Sequence, residues 1–226
     1  PFALEQAPLK RQAVADAQLR LPEVNPYLPE QLGLVAADEQ MMRRLIDQPE
    51  LKLWLDTDIE FGTPRANMTL GLLTQSGFLS ASNQAQAQLY QDLVNDSLSA
   101  TVYPAYLAGL GYSIAVADSG FAISVNGYQD KQMALLNTVT QRLFSADISA
   151  ERFATIKRSL IKDWRNSLKD KPYVQALGAL GDTLLSGSWP ATDLADALEP
   201  VTLDALMQWR SQQLKDVGVI AALHGN

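Results

Sequence analysis

Apolar residues fall at every second position in "LKLWLDTD", where Leu51, Leu53 and Leu55 alternate with Lys52, Trp54 and Asp56. A period of two belongs to a strand with one face on a core. "RANMTLGLL" repeats the pattern through Ala66, Met68, Leu70 and Leu72, and the Gly and Pro of "EFGTP" between them suit a chain reversal. Two antiparallel strands are predicted. From Ser82 the spacing lengthens to four or five residues through Leu89, Leu93, Leu98 and Val102, which predicts a helix that Pro104 should kink or end near Tyr103. Alternation returns in Tyr112, Ile114 and Val116, breaks at Asp118-Ser119-Gly120, and resumes in Phe121, Ile123 and Val125. That is a hairpin signal.

After this hairpin comes "NGYQDK". Gly127 can end the strand with an unusual backbone angle, and Asp130 is placed to cap a helix that carries Met133, Leu136, Val139 and Leu143 inward. Most of the corner reads as turn chemistry; Tyr128 alone is a candidate for more than packing. Four helical segments follow. Ser149 caps the first, whose apolar face is Phe153, Ile156, Leu160, Ile161, Trp164 and Leu168. A second begins after Pro172, a third after Trp189-Pro190 with Thr192 as a possible cap, and a fourth at Thr202, with Val201 and Leu206 as a hydrophobic staple. "VGVIAALHGN" reads as a closing strand. The order predicts an α+β domain, an antiparallel sheet with helices packed on one face.

Residues 1–30 hold Pro1, Pro8, Pro22, Pro26 and Pro29 and are expected to be a largely extended linker, or the end of a preceding domain, with a short helix possible over 9–19. The compact domain is placed at 31–226. The chain opens with Pro-Phe and shows no basic segment followed by an apolar one, so a fragment of a longer polypeptide is expected.

Composition narrows the chemistry. An apolar content of 47% is that of a globular chain, and no apolar run reaches the roughly 18 residues of a membrane span. A net charge of −7 argues against nucleic acid as a partner. Between Glu151 and Lys171, however, seven bases stand against three acids. Arg158, Lys162, Arg165 and Lys169 share one helical face through spacings of four, three and four. That face is either a solvated surface or a receptor for acidic peptide groups. With no cysteine and a single histidine, His224, the chain is poor in zinc ligands, and no nucleophile motif or phosphate loop occurs. Catalytic and metal residues are therefore expected to be none, and the candidate substrate contacts are Arg158, Lys162, Arg165 and Tyr128.

Four segments, in order, resemble one family. "LPEVNPYLP", "LKLWLDTDIEFGTPRAN", "AGLGYSIAVADSGFAISVNGYQDKQMALL" and "LHGN" are similar to the third domain of the pitrilysin and insulin-degrading-enzyme family of zinc metallopeptidases. The resemblance spans about Leu21 to Asn226. It implies the family's repeated α+β unit, a parent that binds zinc through H-x-x-E-H in its first unit, and two halves that close around peptides. The helix here that corresponds to the zinc-binding one, Ser82 to Tyr103, has neither His nor Glu. A non-catalytic copy is expected, inactive alone, with no cofactor of its own, partnered by the N-terminal catalytic half of the same polypeptide and by peptide substrates. A periplasmic location is implied by bacterial relatives. The alternatives are an inactive peptide-binding or assembly subunit paired with an active partner, and an unrelated α+β binding module.

Overall fold

The computed structural model describes residues 24–36, 42–185 and 187–226; the possible helix at 9–19 lies outside them. Alternation and helical spacing give strands β1 (Arg43–Asp47), β2 (Leu51–Thr57) and β3 (Arg65–Leu73), helix α1 (Ala81–Leu107), then strands β4 (Gly111–Ala117) and β5 (Gly120–Tyr128). Helices α2 (Gln132–Ser145), α3 (Ala150–Asn166), α4 (Pro172–Leu184), α5 (Ala191–Leu198) and α6 (Leu203–Gln213) follow, and β6 (Gly218–Gly225) closes the order. This is the α+β arrangement expected, with β1 in addition.

The six strands form one sheet in the order β1-β2-β6-β3-β5-β4. The predicted pairing of β2 with β3 is corrected: β6 lies between them, parallel to β2 and antiparallel to β3. Alternation determines which face a residue occupies and says nothing of its neighbour across the ladder. The β4–β5 hairpin forms as expected, with Ile114 opposite Ile123.

Met68, Leu72, Ile114, Phe121, Ile123 and Val125 are buried on one face of the sheet. α2 packs on β5 and α1 on β4. Phe78, Tyr90, Phe121 and Trp209 knit that layer together, with Phe78 and Phe121 edge to face at 5.0 Å. The Tyr90 hydroxyl donates to the Leu143 carbonyl at 2.5 Å, and burial pushes its pKa up. α3 packs on α1 and α5.

Local expectations are refined in several places. Ser80 caps α1 by accepting from the Asn83 amide, and the helix runs through Pro104 to Leu107. The position that loses its bond to proline is the carbonyl of Ala100, an exposed residue that water can serve. Gly109, at φ 79°, then ends the helix. In α2 the inward residues are Leu135, Leu136, Val139 and Leu143, whereas Met133 is exposed. Ser149 and Thr202 cap α3 and α6, each accepting an amide three residues on, and Val201 and Leu206 are buried as the staple predicts. Thr192 does not cap α5, whose N-cap position is Pro190. Leu168 lies past the end of α3 and is exposed.

Asp130 does not cap α2. It sits in a 3-10 turn, Gln129–Lys131, and its carboxylate accepts from the amides of Glu30 at 2.8 Å and Gln31 at 3.3 Å. The segment it holds is fastened along its length. Asn25 donates to the Pro104 carbonyl at 2.7 Å, the buried Tyr27 meets Thr138 through its hydroxyl at 3.1 Å, and Gln129 donates to the Gly33 carbonyl at 2.9 Å. Asn226 exchanges bonds with both backbone groups of Val35.

Candidate functional site

The helices leave the opposite face of the sheet open. Because side chains alternate, one row across it can be followed strand by strand: Ser113, Ser124, Thr69, Ala222, Trp54 and Arg44. Ser113, Thr69, Ala222 and Arg44 are exposed, and Ser124 and Trp54 half-buried. Thr69 and Ser124 hydroxyls lie 3.2 Å apart. A neighbouring row holds Asn126, Asn67, His224 and Asp56, in which His224 Nδ1 meets Asp56 Oδ2 at 2.9 Å. Short polar side chains over a pleated backbone make a shallow platform with donors and acceptors at strand spacing. Sequence reasoning saw the outward positions Lys52, Trp54 and Asp56 and missed the row, because its members come from strands distant in the chain. The Ser, Thr and Ala at outward positions of four strands, β3, β4, β5 and β6, were the available signal.

The four sequence candidates do not converge. Arg158 and Arg165 line a groove of about 420 Å³ with Phe153, Lys157, Ile161 and Glu199. Arg165 is engaged there by Glu199 at 2.8 Å and Asp196 at 3.6 Å, both on the α5 side. Lys157 donates to the carbonyls of Glu199 and Val201 at 2.7 and 2.6 Å; it thereby satisfies the Glu199 carbonyl at the end of α5 and ties it to the turn before α6, and burial holds its pKa below the usual lysine range. Lys162 lies elsewhere on α3, with no ion-pair partner among the described residues. Tyr128 stands apart at the end of β5, with the Arg65 guanidinium 5.1 Å from its ring centroid. Its corner performs structural chemistry. Gly127 takes φ 121°, where a Cβ would lie 2.2 Å from the Gly109 carbonyl oxygen, and the buried Gln132 amide donates to the carbonyls of Ala66 at 2.5 Å and Gly127 at 2.9 Å.

The zinc that the resemblance implies for a parent does not fit these residues. Asp92 and Asp96 are the only ligand-type residues of α1. Burial pushes the Asp92 carboxyl up, toward its neutral form, and Asp96 is taken by Arg152. Among the described residues no three His, Cys, Asp or Glu are grouped to hold a metal, and no serine or threonine is bonded to His224. No helix of the described residues is long and apolar enough to cross a membrane.

Comparison with known proteins agrees with this architecture. The family model described as the middle or third domain of peptidase M16 matches residues 3–197. Insulin-degrading enzyme of Bos taurus is 28% identical over 214 residues, which are 93% of this chain and 21% of that protein. The peroxisomal insulin-degrading enzyme-like 1 of Arabidopsis thaliana is 28% identical over 217 residues, 95% of this chain and 22% of that protein. The crystal structure of pitrilysin superposes with a TM-score of 0.83 at 23% identity, over 94% of this chain and 23% of the other. The chain thus spans about a fifth of the length of the relatives it matches. It belongs to the peptidase M16 family, as the middle or third domain of that fold.

Proposed function

We propose that this chain is a non-catalytic domain of a zinc-dependent endopeptidase and forms part of the wall that encloses peptides cleaved in another part of the same polypeptide. The observation that carries the reading is an intact M16 sheet-and-helix unit whose α1 lacks both His and Glu. Leu89, Leu93 and Leu98 remain buried there, so the architecture persists without the ligands of a hydrolytic site. The open sheet face is the surface offered to the peptide. Its share of catalysis is positioning and exclusion, which act on where the substrate sits rather than on the bond that breaks.

The test is reconstitution. The separately expressed N-terminal half should cleave a reporter peptide faster once this chain is added, and Thr69→Arg with Ser124→Arg should lower kcat/KM of the reconstituted pair by roughly tenfold at an unchanged melting temperature. Hydrolysis by this chain alone, or no gain on mixing, would refute the reading.

A further inference from the structure

Arg65 opens β3 with its backbone held on both sides: its amide donates to the Thr63 carbonyl at 2.8 Å, and its carbonyl accepts from the Asn226 amide at 3.2 Å. Asn67 and Thr69 belong to the open face, and by the period of two Arg65 continues their side of the strand. Its side chain is exposed. The guanidinium lies 5.1 Å from the ring centroid of Tyr128, the residue opposite it in the β3–β5 register. The ring in turn is backed by Gly109, where an added Cβ would meet it at 3.2 Å. A guanidinium stacked on a held ring keeps the N–H donors along its edge free and loses little conformational freedom when it bonds.

The other basic side chains of the open face have acids beside them. Arg44 is bonded to Asp47 at 3.0 Å, Lys52 stands opposite the same Asp47 in the β1–β2 register, and His224 meets Asp56 at 2.9 Å. Arg65 has no ion-pair partner among the described residues. Asp58 and Asp130, on the turns that flank its corner, are engaged elsewhere. Asp58 accepts from the amides of Glu60 and Phe61 at 2.9 and 3.2 Å, and Asp130 accepts from those of Glu30 and Gln31. Glu60, in the connection between β2 and β3, forms no ion pair among the described residues. About 7 Å along the strands stand Asn67 and Asn126, opposite each other and both exposed. An anion above this corner would meet a forked cation at one end and two carboxamide donors at the other.

We propose that Arg65, stacked on Tyr128 and neighboured by Asn67 and Asn126, is the subsite of the open face that receives a carboxylate of the peptide, either an acidic side chain or the C-terminal group. The inference rests on the reading that this face meets the peptide, and it deepens that reading by naming the charge the face selects. The planar fork matches the two oxygens of a carboxylate, and carboxylates are the anions that an unmodified peptide carries. The contact decides which peptide is held and in which register; it takes no part in breaking the bond.

The full-length polypeptide is assayed on reporter peptides that differ by Glu or Gln at one position, scanned along the peptide, and on peptides with a free or amidated C-terminus. The first arm reads a side chain and the second the terminal carboxylate. One arm should favour the charged peptide by roughly tenfold in kcat/KM, the scale of a charge-assisted forked contact, and Arg65→Gln should bring that ratio to about one. Arg65→Glu should invert it, favouring Lys over Gln at the same position or the amidated C-terminus over the free one. Tyr128→Leu, which removes the platform, should lower the ratio by about threefold; a ratio it leaves unmoved overturns the part given to the ring. A wild type with no preference in either arm, or a preference that survives Arg65→Gln, overturns the subsite. Thr69→Arg with Ser124→Arg separates this failure from that of the broader reading. Should that pair lower kcat/KM while the ratio ignores Arg65, the face meets the peptide and only the subsite is wrong; should neither change matter, the face is wrong and the subsite falls with it.

Discussion

Gln132 offers the sharpest test of how the corner after β5 is held. Its side chain is 1% exposed, and its amide nitrogen faces two carbonyl oxygens, of Ala66 at 2.5 Å and Gly127 at 2.9 Å. Gln132→Glu keeps the shape and removes both donors. The ionised carboxylate would then face two oxygens in a dry site, so its folded pKa must rise above the unfolded glutamate value of about 4.3. The folded state then binds more protons than the unfolded one, and stability falls as pH climbs from the unfolded value through the raised folded one. Below that window the neutral acid can still donate to one carbonyl. At pH 7 the loss should be about 3 to 5 kcal/mol, the scale of an uncompensated buried charge, whereas Gln132→Met, which merely forgoes the bonds, should cost about 2 kcal/mol and show no added pH dependence. Urea denaturation measured from pH 4 to pH 8 separates the two. A Glu variant as stable at pH 7 as at pH 4 would refute the assignment of the amide as a double donor.

Other expectations follow from the same region. Asp130, whose pKa is held below the carboxylate range chiefly by the Glu30 amide, should fasten residues 24–35 above that range and release them as pH falls through its lowered value; limited proteolysis near Glu30 should accelerate in acid for the wild type and be fast at all pH values for Asp130→Asn. Gly127→Ala should cost about 3 kcal/mol or more, because positive φ and contact with the Gly109 carbonyl act together; a thermal midpoint within a degree of wild type would show that the turn can relax.

Much of this fold was legible because the periods of two and 3.6 are local properties. β2, β3, β4 and β5 announce themselves by alternation, and Ser149 and Thr202 by their position before apolar runs. β1 was missed because its RRLID is short, charged and at the sheet edge, with no buried face to impose alternation. Asp130 was misread for a related reason: an Asp before a helix can serve the amides ahead of it or those of a distant segment, and only the path of residues 24–35 decides. The engagement of Arg165 with Glu199, across 34 positions, is likewise invisible to spacing along one helix. The open-face row needs the whole strand order before its members become neighbours.

That order carries a consequence for how the chain acquires its shape. β6 is the last of the six described strands in chain order, yet it occupies an interior place, joining Asp56 to His224 across 168 positions. Until residues 218–225 leave the ribosome, the β1–β2 hairpin has no sheet to join, and both β2 and β3 present raw edges of the kind that recruit other chains. Premature termination or a nick between α6 and β6 would therefore yield a sticky, split intermediate rather than a trimmed domain.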